Sequence, residues 1–145
     1  MFGSTQRENL ERAVHDAERG AMAELAREGL SRFAGYEVTA YDATAVQLMD
    51  EWIDRYLRQV PNPSRETRLL WISFLGEVFR RRCGGEWVIR ERGEGGELAV
   101  LCPAENGNPQ VVDVAGQVGR RISHGPSASL ALSYTATCIR LKAGQ

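Results

Sequence analysis

Apolar residues recur at intervals of three and four along the first half of the chain, the spacing of helices that bury one face. The spacing predicts three N-terminal helices, over 5–33, 43–60 and 63–83. Thr5 and Glu8 form a capping-box pattern at the first start, and Gly35 is suited to end that helix. Gly20 and Gly29 weaken its interior, so a break near Gly29 is allowed.

The second and third helices have recognisable start signals. Asp42 or Thr44 can cap the second, and Asn62 followed by Pro63 can open the third. The third helix is apolar almost all round, which is typical of a central, buried helix. Gly76 in its middle indicates the close approach of a neighbouring element.

After the glycine pair at 84–85, which is suited to end the third helix, the period of the pattern changes to two. This alternation predicts a hairpin of 86–92 with 97–102 around the turn "GEGG". The segment 110–114 is a candidate third strand.

The C-terminal region returns to helical spacing. Asp113 can cap a short helix, and Ser127 can open a last one. The order of elements predicts an α+β fold in which about three N-terminal helices precede a small antiparallel sheet and two C-terminal helices follow it. A length of 145 residues suits a single globular domain over 1–145.

Composition and charge argue against several classes of function. The net charge is −1, so no overall positive field attracts nucleic acid or anionic lipid. No apolar run reaches the ~20 residues that cross a bilayer. The N-terminus also lacks a basic segment followed by an apolar one. We therefore expect a cytoplasmic protein without a membrane partner.

Histidines and cysteines are too few and too scattered to predict a metal site. The three cysteines show no C-x-x-C spacing, and their odd number argues against a disulfide framework. Only two histidines are present, so no zinc-ligand pattern arises. We expect no metal and no cofactor.

The stretch "GEVFRRRCGGEW", residues 76–87, holds most of the candidate chemistry. Glu77 has apolar neighbours, so it is expected to be partly buried and therefore paired. Its partner is expected to be an arginine of the hairpin or of the final helix. As a functional group, Glu77 would be a general acid/base or a ligand anchor. Trp87 opens the hairpin and is expected to pack back on the third helix or the final helix.

Three arginines end the third helix: Arg80, Arg81 and Arg82. They complement its carbonyl end, or they contact phosphates; the first interpretation is favoured. Cys83 is interpreted as a small buried residue. The alternative is a thiol nucleophile, Cys83 or Cys102, paired with the loop residue His124.

Nine residues match a pattern of Gly-Glu in a helix, Gly and Trp at the opening of a strand, then Arg-Ile, Gly and Ser-Leu. They are Gly76, Glu77, Gly85, Trp87, Arg121, Ile122, Gly125, Ser129 and Leu130. On this pattern the segment 45–135 resembles a group of small uncharacterised bacterial domains of unknown function, although "DVAG" stands where that group has a Pro-aromatic pair. The resemblance implies a shared fold and transfers no activity. It also favours Arg121 or Arg120 as the partner of Glu77, in a pair that would bridge two helices.

These observations favour a small protein-binding or adaptor domain that engages a protein partner or a second copy of itself. One alternative is a small hydrolase that uses Glu77 or a Cys–His pair. Another is a nucleic-acid-associated protein that uses the three arginines of the third helix. The candidate binding residues are Glu77, Trp87, Arg121 and His124.

Overall fold

The computed structural model describes the backbone of residues 2–92 and 95–143 and the side chains of residues 16–90 and 96–142. Five α-helices and a three-stranded antiparallel sheet follow one another in the predicted order, which confirms the α+β fold. The elements are α1 (Phe2–Ala34), α2 (Ala43–Gln59), α3 (Arg65–Cys83), β1 (Glu86–Arg92), β2 (Gly95–Cys102), β3 (Gln110–Val112), α4 (Val114–His124) and α5 (Leu130–Ala143).

Helix α1 is continuous, so the break that the glycines allow near Gly29 does not occur. The indole ring of Trp52 from α2 lies against Gly29, where an added Cβ would stand 2.8 Å from the ring. Gly29 therefore admits a neighbouring side chain. The helix begins at Phe2, so Thr5 lies inside the helix and not at its N-cap, and it ends before Gly35, as predicted. Gly35 has the left-handed φ of 77° that favours glycine.

Helix α3 is the central element. Its residues from Ser73 to Phe79 are all buried, as its apolar circumference predicted. The predicted cap at Asn62 is wrong, because Ser64 precedes the first turn and accepts a hydrogen bond from the Thr67 backbone N–H at 3.2 Å. Gly84, in the left-handed conformation, ends the helix as predicted.

The sheet has the strand order β1-β2-β3, with all neighbours antiparallel. In the hairpin, Glu86 is paired with Leu101 and Arg92 with Gly95, and residues 93–94 of the predicted turn lie outside the described residues. The central strand β2 packs on α3 and α4. Strand β1, which follows Gly84 and Gly85, therefore begins beside the C-terminal end of α3.

The two C-terminal helices begin differently. Asp113 caps α4 as predicted, because its carboxylate accepts a hydrogen bond from the Gly116 N–H at 2.9 Å. The prediction that Ser127 opens α5 is wrong, because Ser127 lies in a short 3-10 turn and donates to the carbonyl of His124. Ser129 is the local cap of α5, its hydroxyl accepting from the Leu132 N–H at 3.3 Å, and Asp50 of α2 accepts from the N–H groups of Leu130 and Ala131.

Aromatic rings from α2 and from the loop before it pack against α3. Trp71 makes edge-on contacts with Trp52 and Tyr56, and Tyr41 stacks on Phe74 with ring centroids 5.0 Å apart. Such contacts add to the hydrophobic stabilisation of the core. Among the described helices, none has an apolar stretch long enough to pass through a bilayer.

Candidate functional site

Glu77 is buried in α3 and its carboxylate accepts four hydrogen bonds. Arg80 donates two of them, at 2.6 and 3.0 Å, Arg81 donates one at 2.9 Å, and the indole N–H of Trp87 donates the fourth at 3.2 Å. Burial raises the pKa of Glu77, but the hydrogen bonds from Arg80, Arg81 and Trp87 outweigh it and lower the pKa overall. The carboxylate is therefore held ionised, which does not suit a general acid.

The Glu77 cluster continues toward α1. The guanidinium of Arg81 lies over the ring of Tyr41, 4.1 Å from its centroid, and the Tyr41 hydroxyl donates a hydrogen bond to Glu24. Arg27 pairs with Glu24 at 3.0 Å. The arginines thus face carboxylates and an aromatic ring, so two of the three arginines proposed for nucleic-acid binding are engaged within the fold.

The predicted pairing of Glu77 with Arg121 or Arg120 is wrong. Arg121 is 2% exposed and pairs with Asp50 of α2 at 3.0 Å, and its Nη2 also reaches Asp54 at 3.4 Å. Glu77 takes its partners from its own helix at i+3 and i+4, the positions that face it on one side of α3. Glu77 and Arg121 are therefore two separate buried charges, each with its own partners, in place of the single pair that was expected.

His124 and Trp87 occupy opposite environments. His124 is exposed at the end of α4 and is not among the residues that line the cavity beside Cys83. The ring of Trp87 is buried against Gly76 of α3. Glu77, Trp87 and Arg121 are thus held by contacts within the chain, and the Cys–His pair considered as an alternative is not formed among the described residues. As ligand-binding groups, these four residues stay predictions.

The three cysteines, distant in the sequence, converge at one end of the fold. Cys83 ends α3, Cys102 ends β2 and Cys138 lies in α5. Cys83 and Cys138 share one cavity wall, and the Cys102 Sγ lies 2.9 Å from where a Cβ added to Gly85 would stand, two residues after Cys83; none of the three forms a disulfide. Cys102 is fully buried, whereas Cys83 and Cys138 are half-buried.

A cavity of about 690 Å³ opens onto this cluster. Cys83 and Cys138 form part of its wall, with the cations of Arg82 and Lys142 and the carboxylate of Glu105. Other lining residues are apolar or hydroxyl-bearing: Pro103, Ala104, Tyr134, Thr135, Ile139 and Leu141. The cavity is large enough for a small ligand or a side chain of a partner.

The surroundings give the three thiols different acidities. The hydrogen bond from Cys102 lowers the pKa of Cys83 to about 6; burial opposes this, while Cys138, Arg82 and Lys142 add to it. The same hydrogen bond with Cys83, together with burial, raises the pKa of Cys102. Burial raises the pKa of Cys138. One thiolate is thus favoured next to two protonated thiols.

The cluster is not a metal site by its geometry. Across the part of the chain that the structure describes, no group of three or more His, Cys, Asp or Glu side chains is arranged to hold a metal ion. The chemistry offered by the cavity is therefore that of a thiolate with cations beside it.

Comparison with known proteins adds no family. No protein-family model matches the chain, and no curated protein or solved structure is significantly similar to it. The resemblance drawn from the Gly-Glu and Gly-x-Trp pattern stays a prediction.

The thiol cluster is the feature that the sequence patterns missed. Cys83 was interpreted as a small buried residue, but it is half-buried in a cavity wall. The hairpin could have indicated part of the cluster. Glu86 pairs with Leu101, so the start of β1, just after Cys83, lies next to Cys102. No local pattern indicated Cys138, which α5 brings to the site through its packing.

Proposed function

We propose that the chain is a small cytoplasmic protein-binding domain, of bacterial type by the resemblance, whose recognition surface is the exposed face of α5 beside the cavity. The observation that carries the proposal is the exposure of two large apolar side chains on α5, Leu132 at 70% and Ile139 at 63%. They are seven residues apart, which is two helical turns, so they lie on the same face.

The surface continues from the helix face into the cavity. Ile139 and Thr135 belong to the cavity wall while remaining exposed. The cavity edge carries Arg82 and Lys142, with Glu105 as the one carboxylate among its lining residues. A partner segment that inserts an apolar side chain and presents a carboxylate to these cations would match this chemistry. The three free thiols agree with a reducing compartment such as the cytoplasm.

The alternatives have weaker support. A hydrolase based on Glu77 needs an accessible carboxylate, but Glu77 is buried and already accepts four hydrogen bonds. A Cys–His nucleophile needs His124 next to a thiol, and His124 does not line the cysteine cavity. A nucleic-acid surface needs several unengaged arginines on one face, whereas Arg80 and Arg81 are bound to Glu77.

The test compares two α5 variants with a matched control. Leu132→Glu and Ile139→Glu place a charge in the proposed surface, and Leu25→Glu places the same charge at a 56% exposed leucine on α1. We expect a partner protein to co-purify stoichiometrically with the wild type and with Leu25→Glu. Its recovery should fall about tenfold or more with either α5 variant, because a buried unpaired charge opposes binding. Analytical ultracentrifugation of the same four proteins identifies the case in which the partner is a second copy.

Equal recovery of the partner with all four proteins contradicts the proposal. The proposal is also contradicted if the wild-type chain is monomeric and every protein that co-purifies with it also co-purifies with the α5 variants.

A further inference from the structure

The thiol cluster has the parts of a redox site, independently of any protein partner. A single half-buried cysteine is commonly a small apolar residue. Here thiols from α3 and α5 line one cavity wall, and a third thiol, from β2, lies behind them against Gly85. Cys83 lies in the wall of the cavity of about 690 Å³, where a small molecule can reach it.

Charge around Cys83 favours its thiolate. Arg82 of α3 and Lys142 of α5 supply positive charge, and Cys102 and Cys138 supply hydrogen bonds. The C-terminal end of α3 opposes the thiolate, because its carbonyl groups carry partial negative charge. The hydrogen bonds and cations prevail, and the pKa of Cys83 is lowered.

The positions of the other two thiols suit the second step of disulfide formation. Cys138 shares the cavity wall with Cys83, and Cys102 lies behind it in the core with no exposed surface. Both remain protonated, because the pKa of each is raised. A neighbouring thiol can condense with an oxidised cysteine when the two side chains reach disulfide geometry.

We propose that Cys83 is a peroxide-reactive thiol, and that its oxidised form is resolved by Cys102 or Cys138 as an intramolecular disulfide. In the first step the Cys83 sulfur attacks one oxygen of a hydroperoxide. The S–O bond forms, the O–O bond breaks, and the second oxygen leaves as an alcohol, or as water from hydrogen peroxide, after taking a proton. In the second step the neighbouring sulfur attacks Cys83, the S–S bond forms, and the hydroxyl leaves as water with the proton of that thiol. Two thiols are oxidised by two electrons, and one hydroperoxide is reduced.

The first measurement uses the wild-type, fully reduced chain and needs no variant. The rate of alkylation of each cysteine is followed by peptide mass spectrometry from about pH 5 to pH 9, the range that contains the transition of an activated thiol. We expect Cys83 to react about tenfold or more faster than Cys102 and Cys138 at neutral pH, with a midpoint below the ~8.5 of free cysteine.

The charged and titratable groups facing Cys83 are Arg82 from α3, Cys102 from β2, Glu105 from the following loop, and Tyr134, Cys138 and Lys142 from α5.

Variants then test the cause. Arg82→Gln is expected to raise the midpoint of Cys83 alkylation, because it removes a cation beside the thiolate. Arg120→Gln, at an exposed arginine of α4 that is not part of the cavity wall, is the matched control and should leave the midpoint unchanged.

The second measurement adds equimolar hydrogen peroxide and maps the products. We expect a disulfide that contains Cys83, and the partner peptide identifies Cys102 or Cys138 as the resolving thiol. In Cys83→Ser the loss of thiols should slow about tenfold or more, because the reactive thiolate is absent. Alkylation of Cys83 at the rate of free cysteine overturns the proposal. A wild-type protein that keeps three thiols after peroxide, or a Cys83→Ser variant that is oxidised as fast as the wild type, also overturns it.

Discussion

At the scale of single residues, Gly76 permits contact between α3 and β1. A Cβ added there would stand 1.8 Å from Cη2 of Trp87, a distance that requires the ring or the helix to move. We expect Gly76→Ala to lower the free energy of unfolding by about 1–3 kcal/mol, as overpacking of a core does. Gly119→Ala in α4 has no atom within 4 Å of the new Cβ and should raise stability by about 0.5–1 kcal/mol. Urea denaturation of both variants checks the opposite signs, and a stabilised Gly76→Ala would contradict the contact.

Glu77 also connects α3 to β1, because its carboxylate accepts a hydrogen bond from the indole N–H of Trp87. We expect Glu77→Gln to lower the free energy of unfolding by about 1–3 kcal/mol, because two arginines lose their counter-ion while a hydrogen-bond acceptor remains. The half-exposed side chains of Arg80 and Arg81, at 42% and 47%, keep this cost below that of a fully buried pair. Glu28→Gln, at an exposed position of α1, is the control and should change stability by less than about 0.5 kcal/mol.

The difference in the free energy of unfolding between wild type and Glu77→Gln should change with pH in one direction. The folded-state pKa of Glu77 is lowered, so the unfolded chain binds its proton first as the pH falls. The contribution of Glu77 is therefore complete above the ~4.3 of an unfolded glutamate and is lost as the pH falls through the folded-state value. The stability difference between wild type and Glu77→Gln should shrink toward acid pH. A difference that stays constant or grows would show that the ion pair does not stabilise the fold.

At the scale of elements, Asp50 joins α2 to the start of α5 and to α4. It accepts hydrogen bonds from the backbone N–H groups of Leu130 and Ala131 and from the guanidinium of Arg121, which is 2% exposed. We expect Asp50→Ala to cost about 3–5 kcal/mol, because it leaves a buried cation without its nearest partner. Asp42→Ala removes only the local cap of α2 and should cost about 1 kcal/mol.

Hydrogen exchange distinguishes the two aspartates further. The first-turn amides of α5 should exchange faster in Asp50→Ala and at the wild-type rate in Asp42→Ala. Equal protection of α5 in both variants would contradict the role of Asp50 in binding its first N–H groups.

The order of the elements could be predicted from sequence because it depends on local periodicity. Helix α3 was recognised as central from apolar residues on every side, and Gly84 ends it as expected. The boundaries were less predictable where two capping residues compete, as Asn62 and Ser64 do. The start of α5 has a local cap, Ser129, but its first N–H groups are bound by Asp50, about eighty positions earlier in the chain, which no local pattern indicates.

At the scale of the whole molecule, the candidate site depends on how distant elements pack. The partners of Glu77 were local, and the i+3 and i+4 rule for helices would have indicated Arg80 and Arg81. The convergence of Cys83 with Cys138 could not be read in this way, since it requires the position of α5 relative to α3. Local chemistry was thus present in the sequence, whereas the cavity that combines it arises from tertiary packing.

The stability of the fold at alkaline pH depends on how Tyr41 is packed. This residue lies in the loop before α2 and contacts Phe74 of α3 and Glu24 of α1. Burial, followed by the hydrogen bond to Glu24, raises the pKa of Tyr41, and burial raises the pKa of Tyr134 to about 12. The unfolded chain therefore releases these protons first as the pH rises. The stability that each contributes is complete below the ~10 of an unfolded tyrosine and is lost as the pH rises through the folded-state value.

We therefore expect the free energy of unfolding to fall above about pH 10, and to fall less steeply in Tyr41→Phe, which lacks the ionisable hydroxyl. Wild type and variant have the same cysteines, so thiol ionisation contributes equally to both curves and cancels in their difference. Urea denaturation under reducing conditions at a series of alkaline pH values measures that difference directly. Tyr36→Phe, at a side chain that is 60% exposed, is the matched control. If Tyr36→Phe changes the slope as much as Tyr41→Phe does, the effect comes from removing any tyrosine, and the buried pair of Tyr41 with Glu24 is not its cause.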